Sequence, residues 1–299
     1  MSSARLTFAS SKDYEVCRLI HRKYGKSYYM ASRLFPKEIR MGVDALYGFV
    51  RIPDNMVDSD ADLSTVQLFE KMWAWKNELK EGLKGVKPTH AVMRAFCDTI
   101  DKFEIPSEEP FIFLDAMNQD RYVTSYESWA SLQGYMRGSA TSVGYMMCHI
   151  MHSELNEFIL DRSRCLSEAM QLTNFLRDVA EDIALGRVYL PREDLDLYGV
   201  SVEQIKRGEV DSGFIDLMKF EIARCRELYL AADEGIVHLD RKVGIPVMAG
   251  RLLYSSILDK IEEQGYDVFK KRAALSKPEK IALASTAASR FDHTRRLHC

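Results

Sequence analysis

The chain has 299 residues, 46% of them hydrophobic and 28% charged, with a formal net charge of -3. That composition supports a sizeable apolar core in one large domain or two ordinary ones, and it excludes a nucleic-acid partner held by general basic charge. No apolar run approaches the ~20 residues that cross a bilayer, and no apolar stretch follows the first positive charges as a secretory signal would require. The six cysteines, Cys17, Cys97, Cys148, Cys165, Cys225 and Cys299, are scattered without a C-x-x-C pair. They read as reduced thiols of a cytoplasmic protein, with room for peripheral association at a membrane surface.

In chain order, apolar residues recur at three and four along almost every segment. A first helical stretch covers 13–35 and is closed by Pro36. A second covers 37–52 and is expected to stop at Pro53, which has no amide hydrogen to continue the ladder. Further helices are expected near 64–83, 89–103, 109–121, 125–150, 163–185, 202–210, 213–239, 247–264 and 278–291. Pro88, Pro106, Pro191, Pro246, Gly199 and Gly265 punctuate them. No alternating segments are joined by Asn-Gly or Asp-Gly turns, no nucleotide-binding glycine loop opens a helix, and no repeat or low-complexity linker interrupts the chain. The pattern predicts an all-α fold: a helical bundle of roughly ten or more helices in a single domain over 1–299.

Within that pattern, "QLTNFLRDVAED" at 171–182 carries Asp178 and Asp182 four residues apart, with Asn174 one turn earlier and Gln171 nearly so. Residues at this spacing share a helix face, with Cβ atoms about 6 Å apart. A second acidic pair, Asp54 and Asp58, stands in "FVRIPDNMVDSD". Either pair alone reads as a solvated face. Both, however, adjoin apolar runs, where an unpaired carboxylate is costly. Arginines stand close by: Arg51 before the first pair, Arg177 and Arg187 around the second. Carboxylates plus an amide oxygen form a hard donor set suited to Mg²⁺. Two such turns facing each other across a bundle suit a metal-bound diphosphate with arginines completing the clamp. In an apolar helical cavity, that arrangement points to diphosphate leaving an allylic carbon with the carbocation shielded from water.

The stretch "QLTNFLRDVAEDIALGRVYLPREDL" closely resembles the squalene/phytoene synthase family, whose pattern is Q-L-T-N-x-L-R-D-V-x-E-D followed by G-R-x-Y-L-P. "ALYGFVRIPDNMVD" is similar to the family's first motif, Y-x-x-x-R-x-x-D-D/E-x-x-D, with Asn55 in place of the usual acid and Pro53 beside it. "GKSYYMASRLFP", "YMRGSATSVGYMM" and "LLYSSILDKIEEQGYDVFKKR" add to the likeness, which spans about 12–275.

The resemblance implies an isoprenoid-synthase-type helical bundle around a central cavity. It also implies a prenyltransferase that joins two prenyl diphosphates head to head through a cyclopropylcarbinyl diphosphate. Carried onto this sequence, Asp54, Asp58, Asp178, Asp182 and Asn174 hold two or three Mg²⁺ ions (Mn²⁺ is the alternative), with Gln171 assisting. Arg51 neutralises the departing diphosphate; Ser27, Tyr47, Tyr254, Lys271 and Arg272 contact it; Arg187 and Tyr189 close the site. The early family motif often reads His-Ser-Lys-Ser, whereas here it is Tyr24, Gly25, Lys26 and Ser27.

Other features are read against these. His149 and His152 lie three apart as metal ligands can, yet no Glu-x-x-His occurs, and they read as core or rim residues. Trp73 and Trp75 diverge on a helix, which makes packing their use. Gly134, Gly138, Ser139, Ala140, Ser142 and Gly144 leave little side-chain volume, either for close helix packing or for a tunnel holding an isoprenoid tail, with Tyr135 and Tyr145 offering π-faces to a cation. The resemblance favours the tunnel, open towards a membrane. A head-to-tail elongase would show D-D-x-x-D clusters, and a terpene cyclase N-D-x-x-S-x-x-x-E; neither is present. The different-class alternative is a catalytically silent helical interaction protein. Within the family, the wording leans to phytoene synthase, which uses geranylgeranyl diphosphate without NADPH, over dehydrosqualene or squalene synthase, which use farnesyl diphosphate.

Overall fold

The computed structural model describes residues 7–59, 65–119, 122–153 and 155–298. Among them stand the helices α1 (Ser11–Tyr24), α2 (Lys26–Ser32), α3 (Lys37–Ser59), α4 (Thr65–Leu83), α5 (Ala91–Lys102), α6 (Glu108–Gln119), α7 (Trp129–Met136) and α8 (Ser142–Ile150). They are followed by α9 (Glu157–Arg177), α10 (Val179–Ala184), α11 (Arg192–Leu197), α12 (Val202–Arg207), α13 (Ser212–Ile236), α14 (Arg241–Glu263) and α15 (Lys277–His298). A lone parallel bridge, Ser125 to Val188, is the β pairing among the described residues. The all-α expectation holds. None of the helices is long and apolar enough to cross a membrane.

The helices that carry the two acidic turns belong to a closed ring of neighbours. α3 packs on α8, α8 on α9, α9 on α14, α14 on α2, α2 on α1, and α1 returns to α3. α13 packs along α9 and also meets α14, and α15 lies along α14. A continuous apolar cluster runs through these elements, from Cys17 on α1 through Phe49 and Phe96 to Leu172, Tyr229 and Ile261.

Several boundaries depart from expectation. α3 does not stop at Pro53 but continues to Ser59 with the proline inside it. An internal proline costs about 3 kcal/mol. Burial on both sides offsets this: Phe49 is fully buried and stacks on Phe96 at 3.9 Å, and Met56, beyond the proline, packs against the same core. α14 likewise begins before Pro246, where the Asp240 side chain accepts from the Lys242 amide. α9 starts six residues earlier than expected, capped by the Asn156 side chain on the Ile159 amide at 2.9 Å. α11 has no counterpart among the expected helices.

The expected helix 125–150 is α7 and α8 joined by a π-helical turn, Arg137–Thr141. Its glycines divide between the two readings. A Cβ on Gly138 would stand 2.5 Å from the Ala116 Cβ, and one on Gly144 would stand 2.1 Å from the Ser167 hydroxyl. These two serve close helix packing and not a tunnel wall. Gly134 has nothing within 4 Å of its Cβ position. Trp75 is buried against Phe49 while Trp73 is exposed, the divergence their spacing requires.

Candidate active site

The second acidic turn is built on a break. The expected single helix 163–185 divides at Asp178, whose φ of -104° and ψ of 15° leave the helical region. The hydrogen-bond ladder nevertheless crosses the break: the Asp178 amide donates to the Asn174 carbonyl at 2.9 Å, and the Asp182 amide donates to the Asp178 carbonyl at 2.8 Å. The kink lets the Asp178 carboxylate receive two guanidinium forks. Arg177 donates from Nε at 2.7 Å, and Arg272, from beyond α14, donates from Nε at 2.7 Å and from Nη2 at 2.9 Å. Burial would raise the Asp178 pKa, but Arg177 and then Arg272 outweigh it and hold the carboxyl below its ordinary range. Arg272 also reaches Glu181 at 3.2 Å.

Around that pair lie further polar groups. Tyr254, on α14, has its phenol pushed up by burial; the charges of Arg177 and Arg272 work downwards and that of Asp178 upwards. Lys280, on α15, has its ammonium pushed down by burial and by the nearby charges of Lys26 and Arg177. Arg177 and Arg272 thus set positive charge directly on a largely buried carboxylate, and Lys280, itself near Lys26, adds charge close to Arg177. Gln171 and Asn174 sit one turn back, where the Asn174 amide donates to Gln171 Oε1 at 3.3 Å. Ser27 is half-buried beside Lys26 on α2, and Lys271 is exposed beside Arg272.

Asp182 lines a narrow cleft with Arg187, Tyr189, Phe175 and Val179. Gly186, at a φ of 78°, makes the turn that returns the chain, so that the Arg187 amide donates to the Asp182 carbonyl at 2.9 Å. Tyr189 stacks on Phe175 at 4.0 Å and lies 5.7 Å from Tyr135, which in turn neighbours Tyr126. The result is a wall of stacked rings next to the acidic turn. Tyr145 instead lies under Arg137, 5.1 Å from its guanidinium.

The first acidic turn is more open. Arg51 pairs with Asp54 on the same face of α3 and lies over the Tyr24 ring at 4.9 Å. The side chain of Asp58 lies outside the described residues. One turn earlier, Tyr47 has its phenol pushed up by burial; Arg51 opposes this, while Tyr254 and Asp54 add to it. Tyr47 therefore senses Asp54 on its own helix and Tyr254 across the ring, and Tyr254 senses Asp178. Asp54, Tyr47, Tyr254 and Asp178 form one chain of electrostatic neighbours between the two motifs.

Sequence reasoning passed over some of these groups. Arg177 and Lys26 stand inside quoted motifs, but Lys280 gave no local signal. The fully buried His21 and the buried Asp44 were also missed, although an aspartate within the apolar run "MGVDALYGF" was a legible anomaly. His149 and His152 are half-buried and exposed respectively. No group of three metal-binding side chains is preassembled among the described residues. Mg²⁺ takes one or two carboxylates and completes its shell with water and substrate phosphate. Asp54 and Asp178, each already facing guanidinium, fit that use.

An all-α ring of helices with two acidic turns, arginines against Asp54 and Asp178, and a cluster of stacked rings is the frame on which the comparisons with known proteins bear. Residues 21–279 match the squalene/phytoene synthase family model. The chain is 33% identical over 275 residues to phytoene synthase of Arthrospira platensis, covering 88% of each, and 31% identical over 290 residues to 15-cis-phytoene synthase of Synechocystis, covering 93% of this chain and 85% of that one. Among solved structures, a dehydrosqualene synthase in complex with ligand matches with a TM-score of 0.86 at 27% identity, covering 94% of this chain and 97% of that one. Squalene synthase HpnC from Alicyclobacillus acidocaldarius matches with a TM-score of 0.77 at 26% identity, covering 86% and 95%. The chain belongs to the squalene/phytoene synthase family and is a prenyltransferase of the head-to-head type.

Proposed function

We propose that this enzyme condenses two geranylgeranyl diphosphates, head to head, to phytoene. The observation that carries the reading is the largely buried Asp178 gripped by Arg177 and Arg272, with Tyr254 near it, Lys280 near Arg177 and Lys26 near Lys280. Such a cluster offers charge-assisted donors to a diphosphate as it departs. Arg177, Arg272 and Lys280 receive the leaving group, while Arg51 serves the first turn. Mg²⁺ held by Asp54, Asp58, Asp178, Asp182 and Asn174 would supply Lewis-acid stabilisation of the departing diphosphate. The phenols of Tyr47 and Tyr254, which burial holds still further from ionisation, donate hydrogen bonds without adding charge. The stacked rings of Tyr189, Phe175 and Tyr135 exclude water and present π-faces to the cation.

In the full sequence, one diphosphate leaves and its allylic cation is captured by the double bond of the second substrate, giving a cyclopropylcarbinyl diphosphate with loss of a proton. The second diphosphate then leaves, the cation rearranges, and a second proton is lost. Two C20 diphosphates yield one C40 hydrocarbon and two pyrophosphates, with no reductant consumed. The phytoene synthase relatives support the C20 choice. The second reading, dehydrosqualene or squalene synthesis from two farnesyl diphosphates, is supported by the match to the dehydrosqualene synthase structure. We place the enzyme in the cytoplasm, working at a membrane surface where its substrates and product partition. Incubation with each diphosphate and Mg²⁺, with and without NADPH, followed by hydrocarbon extraction, tests the choice: a C40 product without NADPH is expected, and a C30 product alone would overturn it.

A further inference from the structure

His21 is fully buried on α1, and nothing in the proposed chemistry uses it. Its Nδ1 is 2.7 Å from the Asp44 carboxylate, and Asp44 also accepts from Arg33 Nη2 at 2.6 and 2.8 Å. Arg33 lies over the Tyr29 ring at 4.2 Å, and that ring meets His21 edge-on at 5.2 Å. The imidazole is thus fixed in plane and tilt by three side chains. Its face stacks on Tyr47 at 4.2 Å with an interplanar angle of 18°. Its Nε2 has no partner among the described residues.

A buried nitrogen without a partner is costly, and a leucine or methionine would fill this space without that cost. What an aliphatic side chain cannot supply is a flat, fixed platform. With Nδ1–H donating to Asp44, the ring is neutral and Nε2 carries only a lone pair. Gly25 gives an independent observation. A Cβ there would lie 2.7 Å from Tyr47 Cε2 and Cζ and 2.9 Å from His21 Cδ2. Gly25 is also where the chain departs from the family's usual serine. A side chain at position 25 and this stack exclude each other as they stand.

We propose that His21, locked by Asp44 and Arg33, is a positioning residue that holds the Tyr47 hydroxyl in the diphosphate site, and that Gly25 is glycine to admit this stack. The proposal rests on the functional reading above, and the test separates the two. Pyrophosphate release from geranylgeranyl and farnesyl diphosphates is measured with Mg²⁺ for wild type, His21→Ala, His21→Phe, Gly25→Ser and Tyr47→Phe. The Tyr47→Phe combinations with His21→Ala and with Gly25→Ser are included. Folding of each variant is verified by far-UV circular dichroism and thermal melting.

His21→Ala and Gly25→Ser are each expected to lower kcat about tenfold when Tyr47 is intact and less than about twofold when combined with Tyr47→Phe, the non-additivity expected when one residue acts through another. His21→Phe, which keeps a stacking ring, is expected to restore kcat to within about threefold of wild type. Should His21→Ala fail to fold, Gly25→Ser and its combination with Tyr47→Phe carry the cycle. Effects that multiply in the double variants, or single variants with unchanged kcat, overturn the proposal while leaving the functional reading intact. Wild-type protein that releases pyrophosphate from neither substrate overturns the functional reading and this proposal with it.

Discussion

The two acidic turns share the D-x-x-x-D spacing and little else. Asp178 is embedded: its side chain is 15% exposed and takes two guanidinium forks from different parts of the chain. Asp54 is open: its side chain is 38% exposed and its ion pair is with Arg51, three residues away on the same helix. Identical spacing therefore produced one carboxylate that is mostly covered and one that is more exposed. A buried carboxylate needs its countercharges in place before substrate arrives, whereas an open one is balanced by solvent. The difference places the Asp178 carboxylate under a fixed cover of guanidinium and the Asp54 carboxylate nearer solvent.

The largest expected effect breaks the comparison at its rigid end. Asp178→Asn should cut pyrophosphate release by roughly 100-fold or more, the scale seen when a preorganised electrostatic group is removed. It should also cost about 1–3 kcal/mol of stability in denaturant melts, because the guanidinium forks lose their charged acceptor. Asp54→Asn should lower turnover too but change stability by less than about 1 kcal/mol, as for exposed pairs. Equal stability losses in the two variants would contradict the contrast between embedded and open turns.

Acid titration sharpens the same contrast. The Asp178 carboxyl lies below its ordinary range in the folded chain. Its contribution is complete above the unfolded carboxylate value, about 4, and is lost as pH falls through the lower folded value. The wild-type stability curve should therefore fall more steeply below about pH 4 than that of Asp178→Asn; superimposable curves would remove Asp178 from the acid limb.

The smallest effect concerns a buried acid outside the site. Glu221, on α13, is fully buried beside Arg224, which also holds Asp194. Burial pushes its pKa up to about 8, with Asp194 adding and Arg224 opposing. The sign is opposite to that of Asp178: stability is complete below the unfolded value, about 4, and declines as pH rises through about 8. Glu221→Gln should flatten that decline in melts between pH 5 and pH 9 while leaving turnover unchanged. An unaltered slope would locate that decline elsewhere.

Much of this was legible in the sequence because it depends on local spacing. Helical periodicity gave the all-α class, and the apolar runs around Leu172 and Leu176 marked α9 as buried. What escaped depends on tertiary compensation. Pro53 has the same covalent properties in any helix, and only the burial of Phe49 and Met56 on either side lets α3 continue through it. The break at Asp178 coincides with guanidinium forks whose second member, Arg272, is 94 positions away. The small residues of 134–144 were ambiguous for the same reason, since only contacts with Ala116 and Ser167 show that Gly138 and Gly144 pack helices. His21 and Asp44 are individually ordinary and gain meaning as a pair between α1 and α3.

The central claim, that diphosphate and divalent metal are held between the two acidic turns, is tested most directly by a crystal structure with Mn²⁺ and a thiolo analogue of the prenyl diphosphate that does not ionise. Anomalous density against Asp178 and Asp54, with the diphosphate in contact with Arg177 and Arg272, is the predicted result. Analogue bound away from both turns, or metal at neither, would contradict the account.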